Sequence, residues 1–189
     1  MLAINSFETR KNKPHTSHIS LYEMTLFGLF AALLFMVDIT LELFMNVEMV
    51  SALIMVFTLV YRRKALIPVM LYNTLYILIY GITIINLVYF YIWPILWGIT
   101  MLLPKNLSRK WQRVVYPVVC GLYGLSFGAL YTPGWALSAG LSFKSAVTWW
   151  IYGLPADMIH AAGNVVFGLL IAPIAALLYR LESRWAHRR

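Results

Sequence analysis

The feature that most limits what this chain can fold into is a series of long apolar runs, nearly free of charge, cut by short clusters of Lys and Arg. A helix needs about 20 apolar residues to cross the hydrocarbon core of a bilayer. Six segments are candidates: residues 21–45, 47–61, 65–84, 87–104, 113–132 and 155–179. The second is short for a full crossing, so it is expected to be tilted or to start below the membrane surface. Within LVYFYIWPILWG, Pro94 is expected to kink the fourth helix or to mark its start. Pro155 is expected to open the sixth, because proline suits the first helical position. The composition agrees, at 61% hydrophobic and 12% charged residues. Soluble domains average about 45–50% apolar and about 25% charged. The expected fold is an all-α integral membrane protein of six transmembrane helices, a single domain over residues 21–180. A polar, basic tail (1–20), expected to be disordered and cytoplasmic, precedes it, and a short basic cytoplasmic tail (181–189) follows. No small-residue cleavage site follows the first apolar run, so that run is read as a span and not as a signal peptide.

Charge sets the expected orientation. Arg10, Lys11 and Lys13 lie in the N-terminal tail, and Arg62, Arg63 and Lys64 between the second and third segments. Lys105, Arg109, Lys110 and Arg113 fall between the fourth and fifth, and Arg180, Arg184, Arg188 and Arg189 at the C-terminus. With six spans all four clusters share one side, and only Lys144 lies on the other. The positive-inside rule makes the clustered side cytoplasmic, with both termini there. The net charge of +8 is then a topology signal and does not call for nucleic acid as a partner. Asp38, Glu42, Glu48 and Asp157 collect at the outer ends, together with Asn46, Asn86, Tyr89, Tyr91, Trp93, Trp135, Trp149, Trp150 and Tyr152. An interfacial belt accounts for the aromatics. It has no need of Asp38 or His160.

The stretch TWWIYGLPADMIHAAGN, residues 148–164, is the densest such set. Ionisable groups inside a span are costly unless they face protein or water. Asp157, His160 and Asn164 are spaced i, i+3, i+7, one stripe of a helix. A helix starting at Pro155 would put Asp157 in its first turn, where the helix dipole favours a carboxylate. Two readings stand for His160 and Asn164: hydrogen bonds between helices, or the floor of an outward-facing pocket. Enzyme signatures are lacking, with no His-Glu-x-x-His run, no Gly-x-Ser-x-Gly elbow and no phosphate-binding Gly-x-x-x-x-Gly-Lys loop. The single cysteine, Cys120, excludes an internal disulfide or a Cys-clustered metal site, and reads as a small apolar core residue. Gly28 and Ala32, with Ala31 beside them, form a small-residue patch on the first span. Gly121, Gly124 and Gly128 form another on the fifth, and Gly163 and Gly168 lie on the sixth. Such patches permit close helix approach, within the chain or, for the first span, with a partner.

Six spans in a chain of this length, both termini inside and the first-span patch together resemble the substrate-binding S components of energy-coupling factor (ECF) transporters. The resemblance covers residues 20–180. In that family an Ala-x-x-x-Ala motif on the first helix packs against the transmembrane partner; here Gly28 and Ala32 would occupy it, with glycine replacing the first alanine. NVEMVSALIMVFTLVYRRKAL, YFYIWPILW and WWIYGLPADMIHAAGN look most like a subgroup associated with cobalamin. The resemblance implies a vitamin bound near the outer surface, under loops joining spans one and two, three and four, and five and six. It also implies an ECF module of one transmembrane coupling subunit and two ATPases, and toppling of the S component in the bilayer. ATP and Mg would bind the ATPases, and no cofactor, metal or catalytic residue is expected in this chain. The expected location is a cell membrane, a prokaryotic plasma membrane. Trp149, Trp150 and Tyr152 would supply flat apolar area over the ligand, and His160 and Asn164 hydrogen bonds below it. With Asp38, Glu42, Asn86, Tyr89, Trp93 and Asp157 they make up the candidate binding set. Gly28, Ala31 and Ala32 make up the candidate partner face. Cobalamin or a related corrinoid suits the many aromatics, whereas Lys144 as the only outer cation disfavours folate. Pantothenate or a queuosine precursor is the alternative ligand. An intramembrane enzyme using His160 and Asp157, and a scaffold subunit, are the alternatives of other classes.

Overall fold

The computed structural model describes residues 19–41, 43–44 and 46–186. The tail through residue 18, Glu42 and the last three residues lie outside the described residues. Every regular element among the described residues is helical. In chain order these are α1 (Leu21–Leu41), α2 (Val50–Tyr61), a 3₁₀ turn (Arg62–Ala65), α3 (Leu66–Tyr80), α4 (Ile84–Leu87), α5 (Tyr89–Leu102), α6 (Arg109–Ala139), α7 (Phe143–Gly168) and α8 (Ile171–Ala186).

Several starts and stops have a local cause. α1 opens on a reciprocal capping box: Ser20 N–H donates to the Glu23 carboxylate (3.1 Å) and Glu23 N–H to Ser20 Oγ (3.2 Å). It buries Phe27, Phe30, Ala31, Leu34 and Phe35 and leaves the Gly28/Ala32 face open. α2 is apolar on every side, and Val50 through Val60 are all buried, the pattern of a helix enclosed by protein. At 12 residues it is too short to cross a bilayer alone, and α3, with 15, is also short of the roughly 20 required. Gly81, at φ +84°, ends α3, and Gly140, left-handed at φ +64°, ends α6, both in the region where glycine avoids a Cβ clash.

α1, the joined α4–α5 stretch (Ile84–Leu102) and α6 are each long and apolar enough to cross a membrane. α7 and α8, bent by 43° at their junction, meet that description as a pair. The first segment therefore ends at Leu41 and not at residue 45. The fifth runs over Arg109–Ala139, well beyond 113–132, straight through Pro117 and Pro133.

The sixth segment differs most from the sequence reading. Pro155 does not open a helix; it sits inside α7, which begins at Phe143 and is capped where Ser142 Oγ accepts Ser145 N–H (3.2 Å). A proline costs a helix one N–H bond, and neighbouring packing makes this tolerable in membrane helices. TWWIYGLPADMIHAAGN is thus helix throughout, and the loop before α7 shrinks to residues 140–142.

α6 and α7 form the tightest pair, and the glycines explain it. A Cβ at Gly124 would lie 2.7 Å from Asn164 Nδ2 and 3.1 Å from Ala161 Cα, and one at Gly168 would lie 2.6 Å from Pro117 Cα. A Cβ at Gly128 would collide with the Asp157 carboxylate, and one at Gly121 with the Val165 side chain. The fifth-span glycines and Gly168 therefore serve internal packing. A Cβ at Gly28 would meet nothing within 4 Å, and Ala32 is exposed. Ala31, expected beside them on the partner face, is only 1% exposed, within the core. One residue is a 100° step on a helix, enough to move it from the outer face to the interior.

Candidate functional site

At the end of the bundle away from Arg62–Lys64 lies a cavity of about 270 Å³. Five aromatic rings from the helices line it: Tyr72 and Tyr76 from α3, Tyr89 and Trp93 from α5, and Phe127 from α6. Each helical pair is spaced i, i+4, which stacks two side chains on one face. Tyr89 and Trp93 are nearly parallel at 5.9 Å, Tyr76 meets Tyr89 edge-on at 5.2 Å, and Phe127 lies 5.9 Å from Trp93 and 4.8 Å from the His160 ring. Phe44, Asn46 and Val47 of the α1–α2 connection close another side.

Polar groups complete the lining. His160 Nε2 lies 2.9 Å from Glu48 Oε1, with both side chains largely buried. Glu48 also accepts Ser51 N–H (2.8 Å) and the Ser51 hydroxyl, so the same carboxylate satisfies a first-turn donor of α2. Tyr72 donates its hydroxyl to Asp38 Oδ2 (2.8 Å). Asp157 Oδ1 accepts Gly128 N–H (3.0 Å), while its Oδ2 has no partner. Trp93, 3% exposed, has an indole N–H with no partner. The lining thus holds three carboxylates and one histidine, and no Lys or Arg among the described residues. Among those residues, no three of His, Cys, Asp and Glu converge as metal ligands.

Of the candidate binding set, the cavity brings together Asp38, Tyr89, Trp93, Asp157 and His160. The others lie elsewhere, and Glu42 is outside the described residues. Asn164 is fully buried between α6 and α7 beside Gly124, with neither end of its amide paired. Asn86 ties a turn, donating its Nδ2 to Gly81 O (2.8 Å) and its N–H to Thr83 Oγ1 (3.0 Å). Trp149 stacks on Trp135 at 5.6 Å. With Tyr152, which is 82% exposed, Trp149 lines a separate, wider groove formed with Leu141, Lys144, Ser145 and Thr148. That groove belongs to one short stretch of chain and has no carboxylate, so it is a surface furrow. Trp150 lines neither space. The extra turns of α7 before Pro155 are the cause: they carry Trp149, Trp150 and Tyr152 away from His160.

Asp157 occupies an inner turn of α7, so its partner is Gly128 N–H and no helix dipole acts on it. His160 pairs with Glu48, not with Asp157, so the dyad that an intramembrane enzyme would use is not formed. The sequence reading missed Glu48, Tyr72, Tyr76 and Phe127 as lining residues. A usable signal existed for two of them: Tyr72, Tyr76 and Tyr80 recur every four residues along one face of α3. Against protein-family models, curated proteins and solved structures alike, the chain gives no match.

Proposed function

We propose that this chain is the substrate-binding subunit of an ECF-type transporter. It sits in a cell membrane as six spans with both termini cytoplasmic, binds a vitamin or vitamin precursor from outside, and delivers it inward with an ATP-driven module. Carrying this reading is the cavity itself, where six aromatic side chains and five polar or charged ones converge at the end opposite the basic clusters; ligand sites combine apolar walls with placed polar groups. The short α2 and α3 are compatible with six spans, since a helix enclosed by protein need not match the bilayer thickness by itself.

The cavity's volume of about 270 Å³ falls just below the usual range of ligand pockets, about 300–1,000 Å³. An intact corrinoid would extend beyond it, so a smaller ligand is favoured over cobalamin itself. Its acidic lining counts against pantothenate, a carboxylate, and suits a queuosine precursor, a flat base.

Two measurements test this reading. Mass spectrometry of the chain purified from its native membrane should find one stoichiometric small molecule. Gly28→Leu or Ala32→Leu should weaken assembly with the transmembrane partner by tenfold or more while the solitary protein keeps its ligand, because a bulky side chain blocks close helix approach. Full assembly and uptake in both variants would remove α1 as the docking face.

A further inference from the structure

We propose that the exposed basic patch where α5 gives way to α6 is a binding site for an anionic phospholipid, whose headgroup it holds. The inference goes beyond the cavity. It needs only that α6 lies in a bilayer, and it holds whatever ligand the cavity takes.

The first observation is a set of cations left without partners. Lys105, Arg109, Lys110 and Arg113 are all exposed, and none of their side chains makes an ion pair or a hydrogen bond among the described residues. The chain has no Asp or Glu between Glu48 and Asp157, so no local acid is at hand. The carboxylates described at this end of the bundle are already engaged. Glu23 holds Lys64, and Glu182 accepts the Tyr22 and Tyr61 hydroxyls. The neighbouring cluster shows the alternative, because Lys64 has its carboxylate and Arg62 has the Met101 carbonyl. Orientation asks for cations on this side, but not for four crowded ones without a counter-charge. Arg109 and Lys110 also lie in the first turn of α6, where the helix dipole disfavours cations. Within the chain, this charge is a cost with no return.

The second is how the patch is held. Gln112 Nε2 donates to Leu107 O (2.9 Å), and Leu107 and Val115 pack against the core. The turn bearing Lys105 is thereby tied to the start of α6, and the four cations are presented as one group.

The third is what lies beside it. Trp111, Val114, Val118 and Leu122 are exposed and follow one another at i, i+3, i+7, i+11, a single stripe of α6. Trp111, 62% exposed, stands at the charged end of that stripe, and Lys110 borders it, one turn from Val114. A soluble anion has no use for such a stripe. A phospholipid has both parts: acyl chains for the apolar residues and a phosphate for the cations, with Trp at the level between them. Basic clusters beside a membrane helix attract anionic headgroups, and long cationic side chains reach them while their stems stay on apolar surface.

The test is native mass spectrometry of the full chain in detergent, titrated with phosphatidylglycerol or with phosphatidylcholine of the same acyl chains. Phosphatidylglycerol is expected to bind about tenfold more tightly, and raising the salt should shrink that preference. Lys105→Gln, Arg109→Gln, Lys110→Gln and Arg113→Gln together should bring the two lipids to within about twofold of each other. Arg180→Gln with Arg184→Gln removes two cations that are also exposed, and should leave most of the preference in place. A thermal melt checks the folding of each variant. Should the combined variant not fold, Arg109→Gln and Lys110→Gln singly are each expected to weaken phosphatidylglycerol binding about twofold to threefold. The proposal is overturned if the two lipids bind alike in the parent protein, or if the preference survives loss of the four cations. It also falls if the α8 pair removes as much, since the preference would then follow net charge and not this patch. A combined variant that keeps its lipid preference but no longer assembles with the transport module would assign the patch to a protein partner and overturn the proposal as well. The cavity plays no part in this readout, so the lipid site and the transporter reading fail independently.

Discussion

The two ends of the bundle use the same kinds of residue to opposite effect. At the Arg62 end, polar groups are spent on tying helices together. Lys64 Nζ meets Glu23 Oε1 at 2.6 Å, and the Tyr22 and Tyr61 hydroxyls both donate to Glu182 Oε1, at 3.2 and 2.8 Å. Arg62 donates to Met101 O (2.7 Å) and accepts Trp97 Nε1–H at its own carbonyl (3.1 Å); only its Nε is left over. At the Glu48 end the carboxylates bind a phenol, an imidazole, the Ser51 hydroxyl and the backbone N–H groups of Ser51 and Gly128. An Asp157 oxygen and the Trp93 N–H are buried without partners on residues that line the cavity. One end is closed by charge pairing. The other keeps polar capacity in reserve, which is what separates a structural end from a binding end.

The comparison depends on which end faces outward, and that gives the largest expected effect. In a Cys120→Ser background, Lys144→Cys should react with an impermeant thiol reagent in intact cells. Ser108→Cys, beside the basic cluster that starts α6, should stay unlabelled until the membrane is opened. Both positions are exposed, so burial would not mask either result. The reverse pattern would turn the cavity toward the cytoplasm and end the uptake reading.

Removing a carboxylate from the cavity end should cost the most stability. Glu48 serves His160 and two donors of Ser51 at once, inside the protein. Glu48→Gln leaves His160 facing a neutral amide and weakens the hold on the first turn of α2. Breaking a buried pair on one side costs about 3–5 kcal/mol. The check is the midpoint of thermal unfolding in detergent, expected to fall and to be nearly independent of salt. A melt like the parent's would mean that the pair is incidental.

How much of this was legible beforehand follows the same divide. Apolar runs and Lys/Arg clusters are one-dimensional signals, so the helical class and the polar character of the Glu48 end could be read directly. The stripe Asp157–His160 survived because i, i+3 spacing is a property of any helix, wherever the helix starts. Trp149, Trp150 and Tyr152 were misplaced because Pro155 was taken as a boundary. Proline is a start signal at a helix N-terminus, but inside a helix packed against others its missing N–H can be tolerated, as at Pro155 in α7. Tyr72, Phe127 and Glu48 went unrecognised because each reaches the cavity through long-range packing of α3, α6 and the α1–α2 connection. Glu48 meets His160 across more than a hundred residues. Ala31 shows the finest limit, since a one-residue rotation decides between core and surface, and a small-residue motif does not encode it.

The smallest effect is expected at the other end, and it sharpens the contrast most. Glu23 pairs with Lys64, with side chains 23% and 28% exposed, and its carboxylate also closes the capping box of α1. Glu23→Gln removes the charge but keeps the cap, because glutamine fills that position of a capping box as well. What remains is the worth of a part-exposed ion pair, about 0–1 kcal/mol. The unfolding midpoint should barely move, and what little it loses should shrink further as salt is raised. Charge pairing at this end would then be a tie among several, shared with the Glu182 and Arg62 bonds, so that no single one is decisive. If Glu23→Gln instead destabilised the protein as much as Glu48→Gln, with no response to salt, the two ends would be equally dependent on their carboxylates. The distinction between a tied end and a reserved end would then fail.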